Sequence, residues 1–382
     1  LSGKRNMAKR LKDVLVVSIE QAVAAPFATA RLADAGARVI KIERPEGDFA
    51  RAYDYHVHGE CSWFVWLNRG KQSLVLDFKQ ADDAALLHRL IARADIFVQN
   101  LAPGATARAG FASDKLLSQH PRLITCDISG YGESGPYRDM KAYDFLVQCE
   151  AGIAAVTGTV EDAARVGVSA CDIGAGLNAH GAIMEALYAR CQSGVGDSIA
   201  ISLFDGMADW MNVPLMHHLY GNGAPGRSGL SHAMIAPYGA YPMGDGGRIV
   251  IAIQNEREWA RFCAQVLNDA TLTKNSRFCS NALRVTNRGE MDALIAVCFS
   301  DHNAESLSAL LLQAGIAFGR LNEVADLAEH DQLRRISVDS PSGPVEIVAP
   351  PARFASSVDE FGPVPALGEH SDAIRAEFTA AK

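Results

Sequence analysis

Apolar positions in the first half of the chain fall in short β-branched runs separated by helical spacings. Residues 14–19, from Val14 to Ile19, form an unbroken apolar stretch that predicts a buried strand. Pro26 opens a helix that closes at Gly36, because proline suits a first helical turn and glycine a helix end. Residues 38–43 and 73–77 read as two more strands, 80–93 as a helix, and 95–99 and 123–127 as further strands. Strands alternating with helices predict βαβ units and a mostly parallel sheet, which places the chain in the α/β class. The glycine-rich stretch 130–136 is a loop. Helical spacing follows over 143–152. A long small-residue helix then begins around Asp172 and runs to Cys191. Residues 198–203 form another strand, leading into an aromatic-rich helix that ends near Tyr220.

The pattern changes at 221–226, where glycine and proline concentrate into a linker. Residues 225–320 carry strand and helix signals of their own: a strand at 248–253, a helix at 256–266, and helices around Met291 and from Ala304. They predict a smaller second domain. Segments 341–351 and 363–382 form a tail with one final helix. Met7 is read as a start, so residues 1–6 stay outside the fold argument.

Charge and cysteine usage narrow the function classes. A net charge of −8 with no basic block weighs against nucleic acid and against an anionic membrane surface as partners. No apolar run reaches the roughly 18 residues of a membrane-spanning helix, and the N-terminus lacks the apolar core of a secretory signal. The 8 cysteines form no CxxC pair, so no metal is expected and a reducing cytoplasm is the expected compartment. The first strand–helix turn, Glu20 to Pro26, has no glycine, which removes a nicotinamide-binding turn. P-loop, GxSxG and HExxH motifs are absent from the sequence. The pairs His217–His218 and His56–His58 read as surface histidines.

Asp172 opens the long helix in Cys171-Asp172-Ile173-Gly174-Ala175-Gly176. Aspartate is a favoured helix cap. A carboxylate at a helix start can equally be a nucleophile, with free amides nearby to hold negative charge and with Gly174 and Gly176 clearing an approach. Both readings stand on the residues alone. Arg44, Lys71, Asn100, Arg108 and Lys141 lie at strand ends and loops, where parallel sheets bind ligands. Any one of the cations alone reads as a solvated charge. Together they suggest a phosphate-bearing ligand.

These residues resemble the class III coenzyme A-transferase family. The resemblance spans nearly the whole chain. It is carried by Ala35-Gly36-Ala37-Arg38-Val39-Ile40-Lys41-Ile42-Glu43-Arg44, Leu67-Asn68-Arg69-Gly70-Lys71, Val98-Gln99-Asn100-Leu101-Ala102-Pro103-Gly104, Ser129-Gly130-Tyr131-Gly132, Tyr143-Asp144 with Gln148, and Leu367-Gly368-Glu369-His370-Ser371-Asp372. The resemblance implies that Asp172 attacks an acyl-CoA thioester. It implies CoA contacts at Arg44, Asn68, Lys71, Asn100, Leu101, Ala102, Arg108, Lys141 and Tyr143. CoA enters as substrate, with no metal and no tightly bound cofactor. The implied fold is a Rossmann-like large domain built from both chain ends (7–205 and 321–382, the latter including a return linker), a linker helix at 206–225, and an inserted α+β domain at 226–320. The implied assembly is an interlocked homodimer.

The sequence departs from relatives at two points. Val23 stands where formyl-CoA transferase has an active-site glutamine, with Gln21 two residues earlier, and no tetraglycine flap is present, so formyl-CoA and oxalate are not the expected substrates. The related 2-methylacyl-CoA racemases use a Gly-His-Asp stretch that reads Ala142-Tyr143-Asp144 here. A tyrosine of ordinary pKa near ~10 exchanges protons poorly at neutral pH, which favours transfer over racemisation. A catalytically silent CoA-binding protein is the other alternative. Residues 21–27 and 254–259 are similar to those of members acting on small dicarboxylic acids of the itaconate, mesaconate, citramalate or malate type, with succinyl-CoA as donor. The second carboxylate of such an acid needs a cation, and Arg51, Arg69 and Arg227 are the candidates.

Overall fold

The computed structural model describes residues 9–355 and 360–379; Met7 and the segment before it lie outside them. The chain forms two compact units. One gathers the residues up to Ala151, Val166–Met211 and the residues from Arg334 on; the other gathers Gly152–Arg165 and Asn212–Leu333.

The first unit is built on six parallel strands: β1 (Leu15–Ile19), β2 (Arg38–Glu43), β3 (Lys71–Val75), β4 (Ile96–Gln99), β5 (Ile124–Ser129) and β6 (Ser198–Ser202). Their order across the sheet is β3-β2-β1-β4-β5-β6. A parallel sheet needs cover on both faces. Val16, Val17, Val39, Ile40, Ile96 and Phe97 are accordingly without solvent contact. The winding reverses between β1 and β4, where a crevice opens beyond the carboxyl ends of the strands. Strand β3 starts at Lys71, two residues before the expected run at 73. A lysine breaks the apolar pattern, but here it is fully buried and paired with Glu20.

Two helices frame the crevice, Ala24–Asp34 and Ala170–Ser193. They approach so closely at Gly176 that an added Cβ would lie 2.7 Å from the Ala24 carbonyl oxygen and 2.9 Å from the Phe27 Cβ. Gly174 faces Met207 and the Trp210 ring. Gly176 therefore serves helix packing, which corrects the expectation that it clears a path to Asp172, whereas a Cβ at Gly174 would meet only ordinary contacts of 3.4 Å or more.

Strand β3 is a sheet edge, and the C-terminal segment covers it. The amide of His370 donates to the Ser73 carbonyl, the Gly368 amide to Ser73 Oγ, the Gly70 amide to the Pro363 carbonyl and the Val75 amide to Ser371 Oγ. The helix Ser371–Thr379 continues from there, its Arg375 held 2.8 Å from Asp83. Residues 341–351, expected to be part of a tail, instead supply the turn and second strand of an antiparallel hairpin, Arg335–Ser340 and Gly343–Val348. Its Val338 and Val345 pack with Cys61, Phe64, Val65 and Val364.

The second unit carries a three-stranded antiparallel sheet, β7 (Tyr238–Pro242), β8 (Arg248–Ala252) and β9 (Ala317–Arg320), in that order. Helices Glu256–Gln265, Arg288–Phe299 and Ala304–Gln313 supply Trp259, Phe262, Phe299 and Leu307 to its core. Buried Arg284 forks onto Glu256 with two contacts of 2.9 Å. The single helix expected to end near Tyr220 is two, Leu203–Trp210 and Asn212–Tyr220. Pro214 explains the break, because its ring clashes with the carbonyl four residues back. Among the described residues no helix is long and apolar enough to cross a membrane.

Candidate active site

The crevice floor is a cluster of buried charges. Glu20 follows β1, Lys41 and Glu43 lie in β2, and Lys71 begins β3. Glu20 Oε1 accepts from Lys71 Nζ at 2.6 Å, and Glu20 Oε2 accepts from Thr29 Oγ1 at 2.6 Å. Lys71 also donates to the Pro26 carbonyl and to Asn68 Oδ1. Lys41 Nζ donates to Asp48 Oδ2 at 2.8 Å. Glu43 accepts twice from Arg51 at 2.8 Å and once from Ser73 Oγ at 2.6 Å. Three cations thus meet three carboxylates. Burial by itself opposes ionisation of Glu20, yet Lys71 and Lys41 outweigh it and hold the carboxyl below its usual range. Burial likewise opposes charge on Lys41, and Asp48 and Glu20 reverse the balance upward. Against burial, Arg51 and Lys41 hold Glu43 at about 2. Lys71 is the exception: burial draws it down to about 8.

Above this floor lies the turn between β1 and the Ala24–Asp34 helix. Asn100 grips Gln21 from the side. Its Oδ1 accepts the Gln21 amide and its Nδ2 donates to the Gln21 carbonyl, each at 2.9 Å. Ala22 adopts φ +60°, the left-handed region that alanine avoids at a cost of about 1 kcal/mol. Its amide donates to Asp48 Oδ1 at 3.2 Å. Val23 follows and shows no side-chain cap to the helix.

Asp172 is the third residue of the Ala170–Ser193 helix, not its cap. The cap comes from 28 residues away: Asp144 Oδ1 accepts the Cys171 amide at 2.8 Å and the Asp172 amide at 3.4 Å. Asp144 is itself held by Gln148 Nε2 at 2.8 Å, and Gln148 Oε1 accepts the Val166 amide. With the amides served by Asp144, the Asp172 carboxylate has no hydrogen-bond donor among the described residues. Burial, followed by the like charge of Asp144, pushes it up to about 7. The next residue, Ile173, packs on Val23, Phe27 and Leu67 together with Ala22, Trp63 and Trp66. Tyr53 completes this neighbourhood. Burial, then Asp48, Asp172 and Tyr143, push its phenol up to about 12, so it stays a protonated donor.

A cavity of about 240 Å³ opens over the ends of β1, β2 and β4. Ile19, Ile42, Leu76, Phe78, Leu101 and Ala102 give it apolar walls, and Arg44 stands at its edge. The residues expected to touch CoA thus divide into groups. Arg44, Leu101 and Ala102 line the cavity, with Arg108 one turn after lining residue Ala105 and bonded to the Pro103 carbonyl. Asn68 and Lys71 are buried in the charge cluster, and Asn100 clamps the turn. Lys141 and Tyr143 are exposed on the loop leading to the helix Asp144–Glu150. The three arginines considered for a second carboxylate are already engaged: Arg51 by Glu43, Arg69 by Asp34, and Arg227 by the carbonyls of Ala155, Thr159 and Val160. Sequence reasoning missed Glu20, Lys41, Asp48 and Tyr53. It noted Asp144 and Gln148 without seeing the cap; their four-residue spacing signals only the bond between the two side chains. Among the described residues no three His, Cys, Asp or Glu side chains are grouped to hold a metal.

The model of the CoA-transferase family III matches residues 11–371. A succinyl-CoA:glutarate CoA-transferase of Mus musculus is 31% identical over 97% of this chain and 86% of that protein. An acetyl-CoA:oxalate CoA-transferase of Acetobacter aceti is 33% identical over 96% of this chain and 95% of that protein. The crystal structure of a CAIB/BAIF family protein from Brucella suis matches with a TM-score of 0.83 at 33% identity, covering 97% of this chain and 100% of that one.

Proposed function

The chain belongs to CoA-transferase family III and is a CoA-transferase acting on small acids; from that premise we propose that it moves CoA from a donor such as succinyl-CoA to a small dicarboxylic acid by way of Asp172. The observation that carries this reading is the Asp172 carboxylate itself, half-buried, free of hydrogen-bond donors among the described residues, and raised to about 7. A basic carboxylate is a stronger nucleophile once ionised.

In the proposed reaction the Asp172 carboxylate attacks the thioester carbonyl. The C–S bond breaks, giving a mixed anhydride and CoA thiolate. The thiolate attacks the aspartyl carbonyl and releases the donor acid, which leaves an aspartyl-CoA thioester. The acceptor carboxylate attacks that carbonyl and again expels thiolate. Thiolate attack on the acceptor's carbonyl then forms the new acyl-CoA and restores Asp172. Each step trades one activated acyl for another, so no external energy source enters.

Arg44, Arg108 and Lys141 are the cations left to meet the CoA phosphates, and Leu101 and Ala102 supply apolar walls for its adenine ring. Lys71, Asn68 and Asn100 then act from beneath, by fixing the crevice floor. The dicarboxylate acceptor is supported by relatives whose names include glutarate and oxalate. With Arg51, Arg69 and Arg227 engaged, the Tyr53 phenol is a donor placed for an acceptor carboxylate. The eight free cysteines support a reducing compartment, the cytoplasm. A homodimer is supported by helix Asn212–Tyr220, on which Val213, Leu215, Met216, Leu219 and Tyr220 are exposed; light scattering tests it.

Replacing Asp172 by Ala should lower transfer roughly 10⁴-fold while CoA binding persists. Mass spectrometry after incubation with succinyl-CoA and hydroxylamine should find a hydroxamate on the peptide containing Asp172. Near-normal transfer by Asp172→Ala would remove the proposal.

A further inference from the structure

We infer that Asp48 is a positioning residue for the Asp172 nucleophile, acting through the left-handed turn at Ala22. The inference rests on the aspartyl reading above. Asp48 is buried and bonds on three sides: Oδ2 accepts from Lys41 Nζ, while Oδ1 accepts both the Ala22 amide at 3.2 Å and the Ala50 amide at 3.0 Å. Alanine does not choose φ +60° by itself, so neighbours must impose it. Asn100 holds Gln21, one residue earlier, and Asp48 holds Ala22. The turn and the residues just after it touch the nucleophile's helix. Ala22 and Ile173, the residue after Asp172, pack against one apolar cluster that includes Val23, and the Ala24 carbonyl lies against Gly176. A turn that relaxed to ordinary backbone angles would move the surface on which the first turn of that helix rests. Asp48 also caps the short turn Phe49–Ala52, which leads directly to Tyr53. One carboxylate therefore ties down two flanks of the Asp172 neighbourhood without touching the reacting atoms. Lys41 Nζ holds that carboxylate from the other side with an ion pair of 2.8 Å.

The test compares Asp48→Asn, which keeps an acceptor oxygen, with Asp48→Ala, which does not, and adds Ala22→Gly to the latter. Glycine adopts a positive φ without strain. Asp48→Ala should lower kcat by about 10²-fold, the scale of an ångström of misplacement, with KM for acyl-CoA changed by less than about threefold. Asp48→Asn should retain most of kcat. The Asp48→Ala/Ala22→Gly protein should recover about tenfold or more of the lost kcat without recovering its melting temperature. A merely structural carboxylate would show the reverse, with melting temperature and activity moving together and no rescue by glycine. Unchanged kcat in Asp48→Ala, or failure of Ala22→Gly to restore it, overturns the inference. If Asp48→Ala does not fold, Asp48→Ala/Lys41→Met replaces it, since no buried ammonium is then left unpaired. Failure of that protein to fold as well would show Asp48 to be structural. Hydroxamate trapping on Asp172, run in parallel with Asp172→Ala, separates the outcomes. Loss of trapping in Asp48→Ala, with Asp48→Asn retaining it, supports positioning, and trapping unaffected in Asp48→Ala sinks it. Transfer that survives in Asp172→Ala sinks the aspartyl reading instead.

Discussion

The floor of the crevice and the start of the Asp172 helix treat charge in opposite ways. On the floor, Glu20, Glu43 and Asp48 each face a cation at 2.6–2.8 Å, and the ionised forms of Glu20 and Glu43 are favoured despite burial. At the helix start, two carboxylates share one neighbourhood. Asp144 takes the amides, and Asp172 is left with burial and a like charge. The lesson is one of division of labour. Paired charges fix the backbone, and the unpaired one holds its proton more tightly.

That contrast can be broken most forcefully on the floor. Glu20→Ala leaves Lys71 buried without its carboxylate and should cost about 3–5 kcal/mol in urea titrations. Replacing the pair together, as Glu20→Leu/Lys71→Met, should cost far less. At the helix start the sign reverses. The Asp172 carboxyl binds its proton more tightly folded (about 7) than at its ordinary value of 3.8. Its ionisation therefore opposes folding, with no penalty below the ordinary value and the full penalty above about 7. Asp172→Asn should match the parent near pH 4 and exceed it by about 1–2 kcal/mol at pH 8. The smallest expected effect is on the pH profile. Asp144→Asn removes the like charge, so the acid limb of kcat/KM should move to lower pH by about one unit. A limb that stays in place would mean that burial alone sets the value. Tyr53 and Cys171, the other titrating neighbours, ionise far above that range; burial first, then Asp144 and Asp172, push Cys171 up to about 12.

Much of the parallel sheet was legible because its strands are uninterrupted apolar runs: Val39, Ile40 and Ile42 announce β2 as clearly in sequence as in space. The start of β3 was not, since Lys71 reads as a solvated charge until Glu20, 51 residues away, is known to meet it. The same reason hid Asp48 and the cap role of Asp144, whose partners are amides of distant turns rather than side chains in a recognisable spacing. The break at Met211 was available in principle from Pro214. The hairpin after Arg334 was obscured by Pro341 and Gly343, which mark its turn but resemble an irregular tail. Asp172 was visible as a candidate, but its freedom from capping duty was not.

The stitching of residues 363–371 along β3 has a consequence for synthesis. Ser73 Oγ accepts from the Gly368 amide and donates to Glu43, which in turn holds Arg51. Residues 363–371 thus complete hydrogen bonds with a strand translated well before them. A nascent chain still on the ribosome presents β3 as an open edge, available to any extended neighbour. Only emergence of residues 363–371 lets that margin close, so chaperone demand should persist until that segment is made.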